Sequence, residues 1–596
     1  MTLGYPFDAD AILRSRRALK RQLLQEGSFI DKRVALLSGS TIGDIRGVLE
    51  LFLLDFGIRP TFHEGDYARY YEEIMFDDAS LRSFAPDVIY IHNSLHSLGE
   101  LPCAGQPDEQ VQQMLEQEMQ RHRTWLDKAS TFGCPVIFNN YDLPRVRVMG
   151  NYEAVSPSGK VRYVRRLNEM LAEYVYERHN IHINDLEYVS SFYGIDRFSD
   201  PSYYNAYKYA VSPQAIPYVC HSVACIVKSI FGKNKKALML DLDNTLWHGV
   251  IGDDGVEGIQ LGVESPEGIA HTDLQRYASE LKQIGVILGV CSKNEEETAK
   301  SGFQHPSSVL SLEDFATFKA NWDPKHLNLL ESAKELNIGA DSLVFVDDNP
   351  AERDIVRQAR AGIAVPELDA AERYVEAVSG AGYFEVTSLS ADDMKRALMY
   401  RQNALRQSEQ EQYVDYGAYL ASLEMKGTFG AFTEPQLERI TQLANKSNQF
   451  NLTTRRYQPS EMAQRAADPE VITLWGRLED RFGDNGLVSE VIGNQVGDVL
   501  DLELWLMSCR VLKRGMEQAM FDCLVRRCQE RSIKTIRGTY LKTEKNAMVA
   551  EFYGTLGFTK TRQNGEDSVW EFQIPVRYEQ QNKYIEVFDN EQTGNS

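Results

Sequence analysis

A short apolar run that ends in two aspartates one residue apart constrains this chain more than any other stretch. It reads Ala237-Leu-Met-Leu-Asp241-Leu-Asp243-Asn244-Thr245-Leu246. A continuous apolar run of this length is the pattern of a strand buried on both faces of a parallel sheet. Side chains alternate along a strand, so Asp241 and Asp243 leave its end on the same side. Open α/β sheets bind ligands at the carboxyl ends of their strands. The run therefore delivers two carboxylates to the place where such folds do chemistry. One carboxylate can attack an electrophile while the other moves the proton. Together they can also hold a hard divalent cation.

The chain has 596 residues, too many for one core, so three domains are expected. A net charge of −22 argues against nucleic acid or an anionic membrane as a partner. Eight cysteines lack the paired close spacing of a zinc site, and the chain is too long for a disulfide scaffold. They predict reduced thiols in a cytoplasmic protein. The N-terminus soon becomes charged (Arg14, Arg16, Arg17, Lys20, Arg21), so no signal peptide is expected. No apolar run is long enough to span a bilayer.

Residues 1–232 are expected to form an N-terminal α/β domain. It opens with an amphipathic helix whose apolar face holds Ile12, Leu13, Leu19, Leu23 and Leu24. Strands at 33–38, 86–91 and 136–138 end in Ser40, Asn93 and Asn139, with a helix from Gly43 to Phe56 after the first. Strand and helix alternating in this way predicts a parallel doubly wound sheet. The region resembles the SGNH-hydrolase type of fold. The Asp-x-x-His of that type is missing, because Tyr218 stands three residues before His221. A scaffold or docking role is expected instead. The aromatics between Phe192 and Tyr209 are expected to pack a domain edge.

Residues 233–385 carry the aspartates. A β-hairpin flap is expected at Trp247–Gly255 and a helix at Ile269–Gln283. A second strand runs to Cys291 and ends in Ser292-Lys293-Asn294. Asn321-Trp-Asp-Pro-Lys325 opens a helix, and a third strand ends in Asp347-Asp348-Asn349-Pro350. Each piece has an ordinary reading. An Asp-x-Asp can be a turn, Ser292 a cap, Lys325 a solvated charge, and Asp347-Asp348 a turn cluster. Four in order, three of them at strand ends, point to a site. The set resembles the haloacid dehalogenase (HAD) superfamily of phosphotransferases.

That resemblance implies Asp241 as nucleophile and Asp243 as acid/base. Ser292 and Lys325 would hold the phosphoryl group, with Asn244, Thr245 and Lys293 as further phosphate contacts. Asp241, Asp243, Asp347 and Asp348 would hold Mg2+. Phosphoryl transfer is mostly positioning and charge neutralisation, which suits these residue types. The gaps between the motifs are too short for a separate cap domain. An uncapped site suits a macromolecular substrate. Cys291 departs from plain phosphatase chemistry, since a thiolate attacks acyl groups readily. The alternative is a core thiol, because adjacent strand residues face opposite sides.

Residues 386–425 read as a charged helical connector, 426–577 as a C-terminal α+β domain, and 578–596 as a tail. The stretch Asn445–Tyr457 reads either as a capped turn or as a site for an anion or polar substrate. A strand at 499–506, the turn Arg510-Val-Leu-Lys513-Arg514-Gly515, a strand at 533–540 and a helix within 546–558 resemble the GNAT acyltransferase fold. In that fold the turn offers backbone amides to the diphosphate of coenzyme A. The resemblance suggests Arg510, Lys513, Arg514, Gly515, Asn546 and Tyr553 as an arm-binding set. Lys513 stands where the turn's first glycine is usual.

The whole order resembles the FkbH-like proteins of polyketide-type biosynthesis. The most telling stretches are Val290-Cys-Ser-Lys-Asn294, Asn321–Lys325, Phe345–Pro350 with Glu352-Arg353, and Asn448–Tyr457. The resemblance implies transfer of the three-carbon acyl unit of 1,3-bisphosphoglycerate, as glyceryl, to a phosphopantetheinylated acyl carrier protein. Cys291 would then form a glyceryl thioester while the HAD aspartates remove the phosphate. Arg455-Arg456, Lys513-Arg514 and Arg526-Arg527 are candidate docking pairs for the carrier. The competing readings are a plain Mg2+-dependent phosphatase, a GNAT-type acyltransferase and a non-catalytic carrier-binding scaffold.

Overall fold

Three sheets organise the described residues. The computed structural model describes residues 3–76, 78–390, 394–410, 413–447, 449–508, 511–543 and 546–590. They form two compact units, one reaching Asn234 and including Ser379–Ser388, the other formed by Lys235–Val378 and the chain from Leu389 on. The segment Ser379–Ser388 thus groups with the first unit, so the expected second domain is interrupted before residue 385. Hydrogen bonds explain this. Lys228 Nζ donates to the Gly382 carbonyl at 2.5 Å, and Ser229 Oγ to that of Glu385 at 2.9 Å.

The first unit has a wholly parallel sheet in the order β2-β1-β3-β4-β5. Its strands are β1 (Ile30–Ser38), β2 (Ile58–Glu64), β3 (Val88–His92), β4 (Val136–Asn139) and β5 (Ile181–Asn184). Every residue of β3 and β4 is buried, as a sheet covered on both faces requires. The leading helix Ala9–Glu26 is capped by Asp8, which accepts from Ala11 N at 3.0 Å. Its Ile12 and Leu19 join the core beside Val48, Leu49 and Val223, so it is a packing helix. Among the described residues no hydrolytic triad assembles. Ser40 Oγ lies 3.3 Å from Ser38 Oγ, and Asn93 Oδ1 accepts from Asn139 N at 3.0 Å. His221 packs among Phe7 and Phe52, with ring centroids 5.4 and 5.3 Å away.

Two histidines here make a pH prediction. Burial lowers both His92 and His122 from 6.5 to about 4. Between those values the unfolded chain takes up protons that the folded chain refuses. Stability present at pH 7 is therefore lost as pH falls from about 6.5 to about 4, on the order of 3 kcal/mol per histidine. Denaturant unfolding at pH 7 and pH 5, followed through the near-ultraviolet signal of Trp125 beside His122, is expected to show the drop.

The second unit holds two sheets. The smaller is parallel, in the order β8-β7-β6-β9. Its strands are β6 (Ala237–Leu240), β7 (Ile287–Ser292), β8 (Phe315–Ala320) and β9 (Leu343–Val346). The first strand in sequence is central, so the ends of β6, β7 and β9 converge. The expected flap is not a hairpin. A single bridge, His248 to Gln260, encloses a short helix, Ile251–Gly258. Among the described residues neither gap between the motifs holds a further domain.

The larger sheet is mixed, in the order β15-β16-β14-β13-β12-β11-β10-β17. It comprises β10 (Met425–Gly430), β11 (Val471–Asp480), β12 (Gly483–Val496), β13 (Val499–Met507), β14 (Thr535–Tyr540), β15 (Thr559–Asn564), β16 (Asp567–Gln573) and β17 (Ile585–Asp589). The expected tail is thus partly built in, because β17 pairs in parallel with β10. The helix expected within 546–558 is reduced to two single turns, Ala547–Val549 and Phe552–Thr555. The connector helix Arg396–Gln410 sends Tyr400 into the core of the smaller sheet, and its buried Arg406 pairs with Asp480 at 2.6 Å. No helix among the described residues is long and apolar enough to cross a membrane.

Candidate active site

Three strand ends and one helix start build a buried charged cluster. Asp241 follows β6, Ser292 ends β7, Asp347 and Asp348 follow β9, and Lys325 begins the helix Lys325–Glu335. Carboxylate oxygens of Asp241, Asp347 and Asp348 all lie within 4.8 Å of one another. Lys325 Nζ reaches Asp241 at 3.0 Å and Asp347 at 2.5 Å. Burial pushes Asp241 up to about 6, and the charge of Asp347 adds to this, although Lys325 and Ser292 pull it down. Burial likewise raises Asp347 and Asp348. One buried lysine faces three carboxylates, so the deprotonated cluster keeps two excess negative charges. A divalent cation with oxygen ligands fits that donor set.

The loops that hold the cluster explain the residues around it. Asn244 takes a left-handed backbone (φ 54°), which asparagine tolerates, and its Oδ1 accepts from Gly249 N at 3.0 Å. Thr245 Oγ1 accepts from Asp348 N at 3.1 Å, tying the β6 and β9 loops together. These two expected phosphate contacts are therefore loop ties in this structure. Lys293 turns to Glu352, at 2.6 Å.

Asp243 is not in the carboxylate cluster, which corrects its expected place among the metal side chains. Its Oδ1 accepts from Trp247 Nε1 at 2.9 Å and Ile251 N at 3.0 Å, and its Oδ2 from Asn294 Nδ2 at 2.8 Å. The chain turns after β6, so strict strand alternation stops applying at Asp243.

Cys291 is a core thiol in this structure, the alternative to its reading as a nucleophile. It is fully buried, and its thiol donates to the Lys325 carbonyl at 3.6 Å. Burial pushes the thiol far above its ordinary range. It packs with Met239, Ile287 and Leu329, on the core side of β7.

Sequence reasoning missed Arg353 as a support. It is buried, and one guanidinium nitrogen donates to the carbonyls of Asp347 and Asp348, at 2.8 and 2.7 Å. A second nitrogen reaches the Leu368 carbonyl at 3.1 Å. The arginine fixes the acidic loop through its backbone and leaves both carboxylates for the cluster. Arg353, Trp247 and Asn294 all stand inside or beside the motifs, but only the folded loops show which groups they touch.

One family model and several solved structures match parts of this chain. A family model described as the FkbH N-terminal domain matches residues 53–228. The N-terminal part of protein BF1531 from Bacteroides fragilis, which contains a phosphatase domain and was crystallised with Mg, is 32% identical. The match covers 63% of this chain and 99% of that one, with a TM-score of 0.58. The chain belongs to the FkbH-like family.

Two further matches to this FkbH-like chain are shorter. The ribosomal-protein-S18-alanine N-acetyltransferase of Escherichia coli is 13% identical over 26% of this chain and 99% of its own, with a TM-score of 0.20. The PaiA N-acetyltransferase of Thermoplasma acidophilum, in complex with coenzyme A, is 14% identical over 25% and 99%, with a TM-score of 0.21. No curated protein sequence matches the chain.

The arm-binding set expected in the C-terminal domain is dispersed. Arg510 lies outside the described residues, as does Asn448 of the neighbouring motif. Arg514 is buried and bonds to Asn403 Oδ1 at 2.8 Å and Asp480 at 3.4 Å. Tyr553 is buried in the core of the sheet. Asn546 is buried and bonds to loop carbonyls. Lys513 and Gly515 line a cavity of about 530 Å3 in the C-terminal domain.

Arginines of all three docking pairs also have internal partners, while Lys513 is exposed. Arg455 pairs with Glu503 at 2.6 Å, Arg456 donates to the Ser447 carbonyl at 2.8 Å, and Arg526 pairs with Asp589. Glu503 also accepts from Tyr457 and Asn494. The stretch ending at Tyr457 is therefore organised around an internal anion.

Proposed function

We propose that this FkbH-like chain is a Mg2+-dependent enzyme that takes the three-carbon acyl unit of 1,3-bisphosphoglycerate, removes its phosphate and loads glyceryl on an acyl carrier protein. The observation that carries the phosphoryl half is the buried cluster of three carboxylates around Lys325. Asp241, Asp347 and Asp348 would hold Mg2+, which supplies charge neutralisation at the phosphoryl oxygens. Two features favour a substrate presented on a larger partner. No further domain is inserted between the motifs among the described residues, and Trp322, three residues before Lys325, is 74% exposed.

The steps follow from the residues. Asp241 attacks the phosphorus of the ester phosphate, and the bond from phosphorus to the glyceryl oxygen breaks. Asp243 gives that oxygen its proton. Water, deprotonated by Asp243, then attacks the aspartyl phosphate and releases inorganic phosphate. Lys325 and Ser292 hold the transferring group throughout. At the other end of the donor, the carrier thiolate attacks the acyl carbonyl. The carbonyl-to-phosphate C–O bond breaks, the second phosphate leaves, and a thioester forms. With Cys291 closed inside the core, the carrier thiol takes the acyl group directly. The same burial favours one second reading, a phosphatase that transfers no acyl group.

Intact mass separates the two. A phosphopantetheinylated carrier is incubated with the enzyme, Mg2+ and 1,3-bisphosphoglycerate generated in place. A glyceryl-sized adduct on the carrier, formed equally by wild type and Cys291→Ala, is the expected result. An adduct on the enzyme that vanishes in Cys291→Ala overturns direct transfer. Free phosphate with no adduct on the carrier reduces the protein to a phosphatase.

A further inference from the structure

In the first unit, the connection from β4 to the helix Lys160–Tyr176 runs through residues 140–159 with only the short turn Gly150–Ala154 inside it. Connections in α/β units are usually about 2–6 residues long, and one of this length is uncommon without a function of its own. The loop is firmly built. Glu153 is buried, with Oε1 accepting from Val148 N at 3.1 Å and Met149 N at 3.4 Å, and Oε2 from Val161 N at 3.4 Å. Gly159 closes against the same residue, since a Cβ there would lie 2.2 Å from the Glu153 carbonyl oxygen. Arg145 Nη1 donates to the Ser199 carbonyl at 2.6 Å and anchors the other end.

What this loop turns outward is apolar and positive. Val146, Val148, Tyr152 and Val155 are 73, 67, 63 and 60% exposed. Single apolar side chains on a surface are ordinary, but four along one ordered loop, rimmed by charge, mark a contact surface. From Arg145 to Arg166 the sequence holds six basic residues and one acidic residue, in a chain whose net charge is −22. The acidic one is Glu153, and it is turned inward. Arg145, Arg147 and Arg162 donate only to neutral groups: the Ser199 carbonyl, Asn151 Oδ1 at 3.1 Å and the Val155 carbonyl. None of the three has a carboxylate partner among the described residues, unlike Arg455 and Arg526.

We propose that this loop is the surface on which the chain receives its carrier protein, through a carrier face that is acidic at its rim and apolar at its centre. The proposal rests on the carrier-loading reading and names where that partner is held. Arginine forks take carboxylates through two bonds at once, and arginine and tyrosine are favoured where proteins meet. The three valines and Tyr152 supply apolar area to be removed from water. The opposite charges speed the encounter and fix the orientation. An anionic bilayer asks for something different. Segments that lie in a lipid interface insert leucine, phenylalanine or tryptophan from one face of a helix, and none of the four exposed side chains is one of these.

Calorimetric titration of the full chain with a phosphopantetheinylated acyl carrier protein, at low and raised salt, tests the proposal. Val146→Asp combined with Val148→Asp places two carboxylates at the centre of the surface and is expected to weaken binding about tenfold or more. Arg147→Glu is expected to weaken it about threefold or more and to flatten its dependence on salt. These side chains face solvent, so the melting temperature and phosphate release at the Asp241 site are expected to stay as in wild type. Carrier binding that neither variant weakens overturns the proposal, and so does a wild type that binds no carrier. Binding of the wild type to phosphatidylglycerol vesicles that the same variants lose also overturns it, in favour of a lipid surface. Loading is read separately, by intact mass of the carrier. A carrier that binds through this loop but never gains a glyceryl adduct defeats the loading reading and upholds the docking surface. Loading that proceeds equally in the variants at low carrier concentration defeats the docking surface and upholds the reading.

Discussion

Asp241→Asn is expected to lower phosphate release by about 10⁴-fold or more, the scale seen when a covalent nucleophile is removed. An amide of the same size keeps the packing but cannot form the acyl phosphate. The same substitution is expected to raise the melting temperature in the absence of divalent cations. Three buried carboxylates share one lysine, and burial already pushes Asp241 up to about 6. Removing that charge relieves repulsion which the fold otherwise tolerates for function. A malachite-green phosphate assay beside thermal melts with a chelator checks both halves. If activity falls and the melting temperature falls with it, Asp241 stabilises the fold and the repulsion argument fails.

Lys325→Ala acts in the opposite sense on stability. Lys325 is the cation within the cluster, and its side chain is only 4% exposed. Deleting one partner of a buried ionic group costs about 3–5 kcal/mol, and here Asp241 and Asp347 lose their shared partner together. Phosphate release is expected to fall by about 10²–10³-fold as the phosphoryl oxygens lose a fixed charge. Millimolar Mg2+ is expected to recover part of the lost stability but little of the rate, because a ligand that binds only the folded state stabilises it by mass action. Melting curves with and without Mg2+, for wild type and variant, read this directly.

The fold was most legible where strands are buried on both faces. β1, β3, β4, β6, β7 and β9 appear in the sequence as apolar runs because both sides of each meet helices. β2, β5 and β8 were not seen. They stand at the edges of their sheets, and β2 includes the polar or charged residues Arg59, Thr61, His63 and Glu64. In the C-terminal domain, β17 lay in a stretch with the composition of a tail.

Site residues at strand ends came together as expected, because the rule that places ligands there depends on topology. Failures arose beside strand ends, at Asp243 three residues past β6 and at Cys291 one residue before the end of β7. Asp243 is drawn away by Trp247 and Asn294, and Cys291 faces the core while Ser292 beside it faces the cluster. The arm-binding set failed for a different reason. Asn546 and Tyr553 keep the residue types of functional positions but serve a loop at Asn451 and a core, and sequence alone does not distinguish a ligand from a piece of the chain that replaces it.

The order of strands around Asp241 also says when the site comes into being. β6 is made first and lies in the centre, while β9, which brings Asp347 and Asp348, is the last strand of that sheet to be synthesised. The hydrogen bond from Asp348 N to Thr245 closes a loop of 103 residues. Closing it costs only slightly more entropy than closing a loop half as long, but it cannot happen until the ribosome has released β9. Until then Asp241 lacks the two carboxylates with which it forms the cluster. The nascent chain therefore passes through most of this domain without an assembled site, and cation binding reports that the sheet is complete.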